Sequence, residues 1–143
     1  MGSVFEKITL INATDVGDVR RGFMKAEEVR AVSVEALVDT GAATIVISEK
    51  LRCELGLDVI DTVEVDVPGG KKETCGITDG VIIRWQKRSA LFNAWVLPEQ
   101  KNVLLGALPL ESMDLVVHPR EGRLVGAHGD EPLGMIMQAR SAP

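Results

Sequence analysis

From Val29 to Val38 the apolar residues Val32, Val34, Ala36 and Val38 fall on one face, with Arg30, Ser33 and Glu35 mostly on the other. A strand sends successive side chains to opposite faces, so this period of two marks a half-buried strand and excludes an amphipathic helix. The same signal recurs in short runs at 5–11, 44–47, 62–67, 81–85, 90–97, 103–105, 115–117 and 123–125. Many short strands punctuated by turn residues predict an all-β sandwich or barrel. Residues 15–22, with charges and two glycines, are expected to be the loop or hairpin that follows the first strand.

Two helical pieces interrupt the strands. Ser48 is placed to cap one, because its hydroxyl can accept from the free amides of a first turn. Glu49 suits the positive end, Leu51 and Leu55 share a face, and Gly56 stops it. A shorter turn is expected over 108–113, with Pro109 at a tolerated early position. Residues 1–126 read as one domain. From 127 to 143 Gly, Pro, Ala and polar residues dominate, which predicts a flexible tail.

Aromatic residues are only 3% of the chain and Tyr is absent, so the core must be built from Val, Leu, Ile and Ala. The net charge is −5 with both signs interspersed, which argues against a nucleic-acid partner. Gln86-Lys87-Arg88 reads as a solvated turn, and Trp85 and Trp95 as core or interface residues on neighbouring strands. No apolar run reaches membrane-spanning length and no leader pattern opens the chain, so a cytoplasmic protein without a membrane partner is expected. Cys53 and Cys75 read as buried free thiols. Together with His118 and His128 they lack metal-ligand spacing, so no metal is expected. No Gly-rich loop stands in a βαβ unit, so no nucleotide cofactor is expected. Ser48, Ser89 and Ser112 lack the surroundings of a hydrolase nucleophile.

One constellation carries chemistry. Asp39 ends the apolar run Ala36-Leu37-Val38 and is followed at once by Thr40-Gly41-Ala42. An ionisable group there leaves a buried strand for a tight turn, where Gly41 permits a close approach. Asp and Gly also make plain turns, so the three residues alone leave both readings open.

The surroundings add to them. Ile45-Val46-Ile47 follows the turn, and Asn102-Val103-Leu104-Leu105-Gly106 comes later, leading to Leu108, Leu110 and Met113-Asp114-Leu115. From about residue 8 to 124 the chain resembles the retropepsin-like aspartic proteases, in a cellular rather than viral branch. That resemblance implies a closed acid-protease barrel with one or two short helices. It assigns Asp39, Thr40 and Gly41 to catalysis and Leu104, Leu105 and Gly106 to a brace behind them. It also implies a flap hairpin over 65–72 that turns at Gly69-Gly70, with Ala42, Ala43, Val67, Pro68, Gly69 and Gly70 contacting substrate.

Hydrolysis by this route needs two facing carboxyl groups that share a proton and a water, and two such groups cannot both ionise easily. The chain carries one Asp-Thr-Gly; Thr78-Asp79-Gly80 and Gly129-Asp130-Glu131 lack its order and setting. A homodimer would supply Asp39 twice across a two-fold axis. The implied activity is an aspartic endopeptidase acting on a peptide or protein. The alternative is a peptide-binding or dimerisation module on the same fold that does not cleave. Retroviral relatives carry an acid where Ala43 stands and an arginine where Ala107 stands, so their salt bridge has no counterpart and the dimer must be stabilised differently.

Overall fold

In a computed structural model residues 2–130 are described, so 131–143 of the expected tail lie outside the described residues. The strands are β1 (Phe5–Asn12), β2 (Ala31–Val38), β3 (Ile45–Ile47), β4 (Val59–Val67), β5 (Lys71–Trp85), β6 (Arg88–Val96), β7 (Val103–Leu105), β8 (Leu115–Val117) and β9 (Leu124–Gly126). Seven form one sheet in the order β1-β2-β7-β3-β6-β5-β4, and a further β1–β5 pairing closes the first six into a barrel. The end strand β4 projects from that barrel as one arm of a hairpin with β5, and β8 and β9 form a separate pair. The period-two pattern left a sandwich or a barrel open, and the closed barrel that the resemblance implied is the fold.

The barrel interior is aliphatic, as the shortage of aromatics requires. Ile8, Leu10, Ile45, Ile47, Leu55, Leu57, Ile83, Leu105 and Leu124 are each at most 1% exposed. Each of the larger side chains here gains roughly 1.5–3 kcal/mol from leaving water, so the closed β1–β5 seam is held mainly by this burial. The strand 81–85 begins ten residues earlier than its apolar run suggests, at Lys71. Its first half is exposed hairpin, paired on one side only, and alternation against a core is not required there.

Residues 15–22 correct the sequence reading. They lie mostly in a helix, α1 (Ala13–Arg20), rather than in a loop or hairpin. Asn12 caps it by accepting from the Asp15 amide, and its Nδ2 donates to the carbonyls of Leu55 and Gly56 at the end of the next helix. The helix has no apolar stripe to announce it; instead the buried Asp15 carboxylate takes three hydrogen bonds from Arg30. The arginine's guanidinium holds that carboxyl below the ordinary carboxylate range, against the opposing effect of burial.

The other helices fall where expected. In α2 (Glu49–Leu55) the Ser48 hydroxyl accepts from the Leu51 amide, and Gly56 closes the helix at φ 64°. The last helix, α3 (Ala107–Ser112), starts one residue earlier than its proline implied. Arg88 is not in a solvated turn: it is 5% exposed and donates to the carbonyls of Met113, Asp114 and Gly129. A polar turn residue can fold inward when it finds carbonyl acceptors. Cys75 is buried, but Cys53 is exposed on α2 beside Glu49 and Arg52. Trp85 is buried on β5 and Trp95 half-buried on β6.

Candidate active site

The Asp39 turn is built by the strands on either side of it. β7 lies between β2 and β3, parallel to the first and antiparallel to the second, so Leu104 is opposite both Leu37 and Val46. The Asp39 amide donates to the Leu105 carbonyl at 3.0 Å, and the Ala42 amide donates to the Asp39 carbonyl at 3.1 Å. The chain therefore leaves β2 already tied to β7, and it turns within three residues.

Gly106 explains the second half of the brace. A Cβ there would collide with the carbonyl oxygens of Ala42 and Thr44, so no other residue allows this approach. The next two amides, of Ala107 and Leu108, donate to the carbonyls of Ala42 and Ala43 at 2.8 and 2.9 Å. The segments 42–43 and 107–108, which include the two uncharged alanine positions, are thus joined through backbone. That gives the turn rigidity without an ion pair.

The Asp39 carboxylate is half-buried, and its Oδ1 accepts from the Gly41 amide at 2.9 Å. This bond orients the carboxyl group and leaves its other oxygen free. Asp39 lies in a cleft of about 620 Å³ together with Gly41, Ala42 and Ala43 from the turn and Leu104 from the brace. Val65, Val67 and Pro68 of the β4–β5 hairpin line the same cleft. The hairpin turns at Gly69 and Gly70, with φ of 97° and 77°, so both glycines hold a conformation that other residues adopt only under strain.

Several residues assigned to the site take other positions. Thr40 is exposed and lines a different groove, of about 310 Å³, with Ala107, Leu110, Leu115 and Val116. Leu105 and Gly106 are buried behind the turn, and Gly69 and Gly70 are at the hairpin tip rather than in the cleft wall. The cleft also uses residues that the sequence reading did not name as site residues: Val46, Cys75, Trp95, Leu97 and Gln100. Their strand pairing could have pointed to them, since Val46 is opposite Trp95. Burial pushes the Cys75 thiol above its ordinary value and the nearby Glu73 adds to this, while a hydrogen bond involving the Val96 backbone opposes it. Cys75 is therefore a neutral apolar wall, not a nucleophile. Among the described residues no group of three or more His, Cys, Asp or Glu is arranged to hold a metal ion, and no helix is long and apolar enough to cross a membrane.

A half-buried carboxylate on a braced turn thus shares an apolar cleft with a glycine-tipped hairpin. A family profile described as aspartyl protease matches residues 26–108, and the chain belongs to that family. By structure it is similar to the retroviral protease-like domain of Ddi1 from Leishmania major, with a TM-score of 0.55, 17% identity and coverage of 87% of this chain and 88% of that one. A retropepsin-like aspartic protease from Rickettsia conorii aligns at TM-score 0.43 and 16% identity, covering 82% and 89%. The comparison with curated proteins gives no match. The retropepsin-like fold expected from the Asp39 and Leu104-Leu105-Gly106 segments is thus the one found.

Proposed function

We propose that the chain is an aspartic endopeptidase whose reactive centre forms when two copies bring their Asp39 carboxyl groups together on a two-fold axis. The observation that carries this reading is the placement of Asp39. It is oriented by Gly41, has a free oxygen, and is in the same cleft as the flap residues Val65 and Val67. One carboxylate cannot both activate a water and protonate a carbonyl, and the cleft's other acid, Asp66, belongs to the flap. In the paired site the ionised Asp39 takes a proton from water. Its protonated partner polarises the scissile carbonyl, and the two exchange roles as the amine leaves.

The surface around Thr40 supports the pairing. Thr40 follows Asp39 directly, so two Asp39 turns that meet bring their Thr40 residues close to the contact. That surface is largely apolar apart from Glu111, with Val116 47% exposed on it and Leu108, 49% exposed, next in sequence to its Ala107. Exposed aliphatic side chains next to an incomplete site suit an isologous contact. The test is peptide cleavage by wild type and Asp39→Asn from acidic to neutral pH. The reading expects a loss of roughly 10²- to 10⁴-fold on substitution, the usual contribution of general acid–base catalysis. Equal cleavage by both proteins would sink it.

A second reading, peptide binding without hydrolysis, has one observation in its favour. β4 is the end strand of the sheet, so an extended peptide can add to it by backbone pairing. Binding unchanged by Asp39→Asn, with no cleavage by either protein, would favour that module.

A further inference from the structure

The β4–β5 register divides the flap into two faces. Residues directly opposite on an antiparallel pair share a face, and alternate positions share it along each strand. Val63 is opposite Cys75, Val65 opposite Glu73 and Val67 opposite Lys71. Val65, Val67 and Cys75 line the cleft, so this face is the underside of the flap. By register Glu64, Asp66, Lys72 and Thr74 belong to the outer face, although Asp66 also lines the cleft. The underside is therefore split lengthwise. Its β4 half is three valines, and its β5 half carries Lys71 and Glu73 next to the buried Cys75. Among the described residues neither Lys71 nor Glu73 has an ion-pair partner.

A lid that closes over an apolar cleft removes water from whatever lies on its underside. Charged groups resist that transfer unless a partner charge arrives with them. We infer that Lys71 and Glu73 select substrates, favouring peptides that carry a basic side chain to meet Glu73 and an acidic one to meet Lys71 beside the apolar residues held by the valines and Trp95. This rests on the endopeptidase reading for its cleavage readout, but the selection itself acts on binding.

The experiment profiles a peptide library twice: by cleavage with the active protein, and by binding to the Asp39→Asn protein, which retains bound peptides uncut. Glu73→Lys, Glu73→Gln and Lys71→Glu are compared with the parent in each format. Both positions are exposed, so unchanged melting temperatures are expected. The inference expects a basic preference at one position that Glu73→Lys turns acidic and Glu73→Gln flattens, each by about tenfold or more. Lys71→Glu should invert the acidic preference at a different position. Charge-dependent binding without cleavage would remove the endopeptidase reading and keep this one. Profiles that are the same for parent and variants overturn it, because the two charges would then stay in water at the cleft rim.

Discussion

The backbone amide of Asp39 donates to the carbonyl of Leu105 at 3.0 Å, so the candidate catalytic residue is positioned by a strand far along the chain. The brace therefore acts on the carboxylate through backbone geometry. Of its side chains only that of Leu104 also lines the cleft.

Gly106 is the sharpest case. Gly106→Ala places a methyl group against the carbonyls of Ala42 and Thr44, so the turn must shift to make room. We expect a stability loss of about 1–3 kcal/mol, typical of overpacking, with a larger fractional loss of cleavage than of stability. Urea unfolding and peptide cleavage on the same preparation check this. Full activity in a stable Gly106→Ala protein would show that the brace does not set the turn.

Asp15 and Arg30 tie α1 to the start of β2, with the Asp15 side chain 2% and the Arg30 side chain 49% exposed. Asp15 has its folded-state value lowered below the ordinary 3.8. The unfolded chain therefore binds the proton more readily. The stability this adds is present above that ordinary value and is lost as pH falls through the lower folded one. Asp15→Asn should cost about 3 kcal/mol at neutral pH, the low end for a buried pair because Arg30 still reaches water. It should also flatten the acid side of the stability curve. Urea midpoints between pH 7 and pH 3 measure both effects.

Asn12 joins two helix ends, since its Oδ1 caps α1 while its Nδ2 serves the carbonyls at the end of α2. Asn12→Ala removes the cap and leaves buried acceptors without a donor, at a combined cost of about 2–4 kcal/mol. Thermal melting of the variant checks it. A loss under about 0.5 kcal/mol would mean that water replaces the side chain.

If the face beside Thr40 joins two copies, a charge placed there should separate them. Leu108→Asp and Val116→Asp change side chains that are about half exposed in the single chain, so each folded chain should survive. Sedimentation should show a shift towards monomer, and cleavage should fall in parallel. A dimer unchanged by both substitutions would place the contact elsewhere.

The barrel was legible because strands that pack one face on a core alternate, and Val32, Val34, Ala36 and Val38 do so, with Leu37 the one apolar residue on the other face. The Asp39 turn and the Leu104-Leu105-Gly106 segment were singled out by resemblance to a family, and the structure ties the two segments through the Asp39 amide and the Leu105 carbonyl. Helix α1 was not, since its stability comes from Asn12 and the Asp15–Arg30 pair rather than from an apolar stripe. The inward fold of Arg88 depends on carbonyls of Met113, Asp114 and Gly129, which no local pattern announces. Cys75 and Trp95 entered the cleft wall through strand register, a relationship between distant residues that one sequence does not display, and Gln100 through the turn after β6.

The central claim is that one functional site needs Asp39 from two chains, and subunit mixing tests it most directly. Wild type is mixed in varying proportion with Asp39→Asn at constant total concentration, given time to exchange, and assayed for peptide cleavage. Mixed pairs carry one carboxyl group and should be inactive, so activity should fall as the square of the wild-type fraction. Activity that falls in simple proportion to the wild-type fraction would mean that each chain acts alone, and would contradict the account.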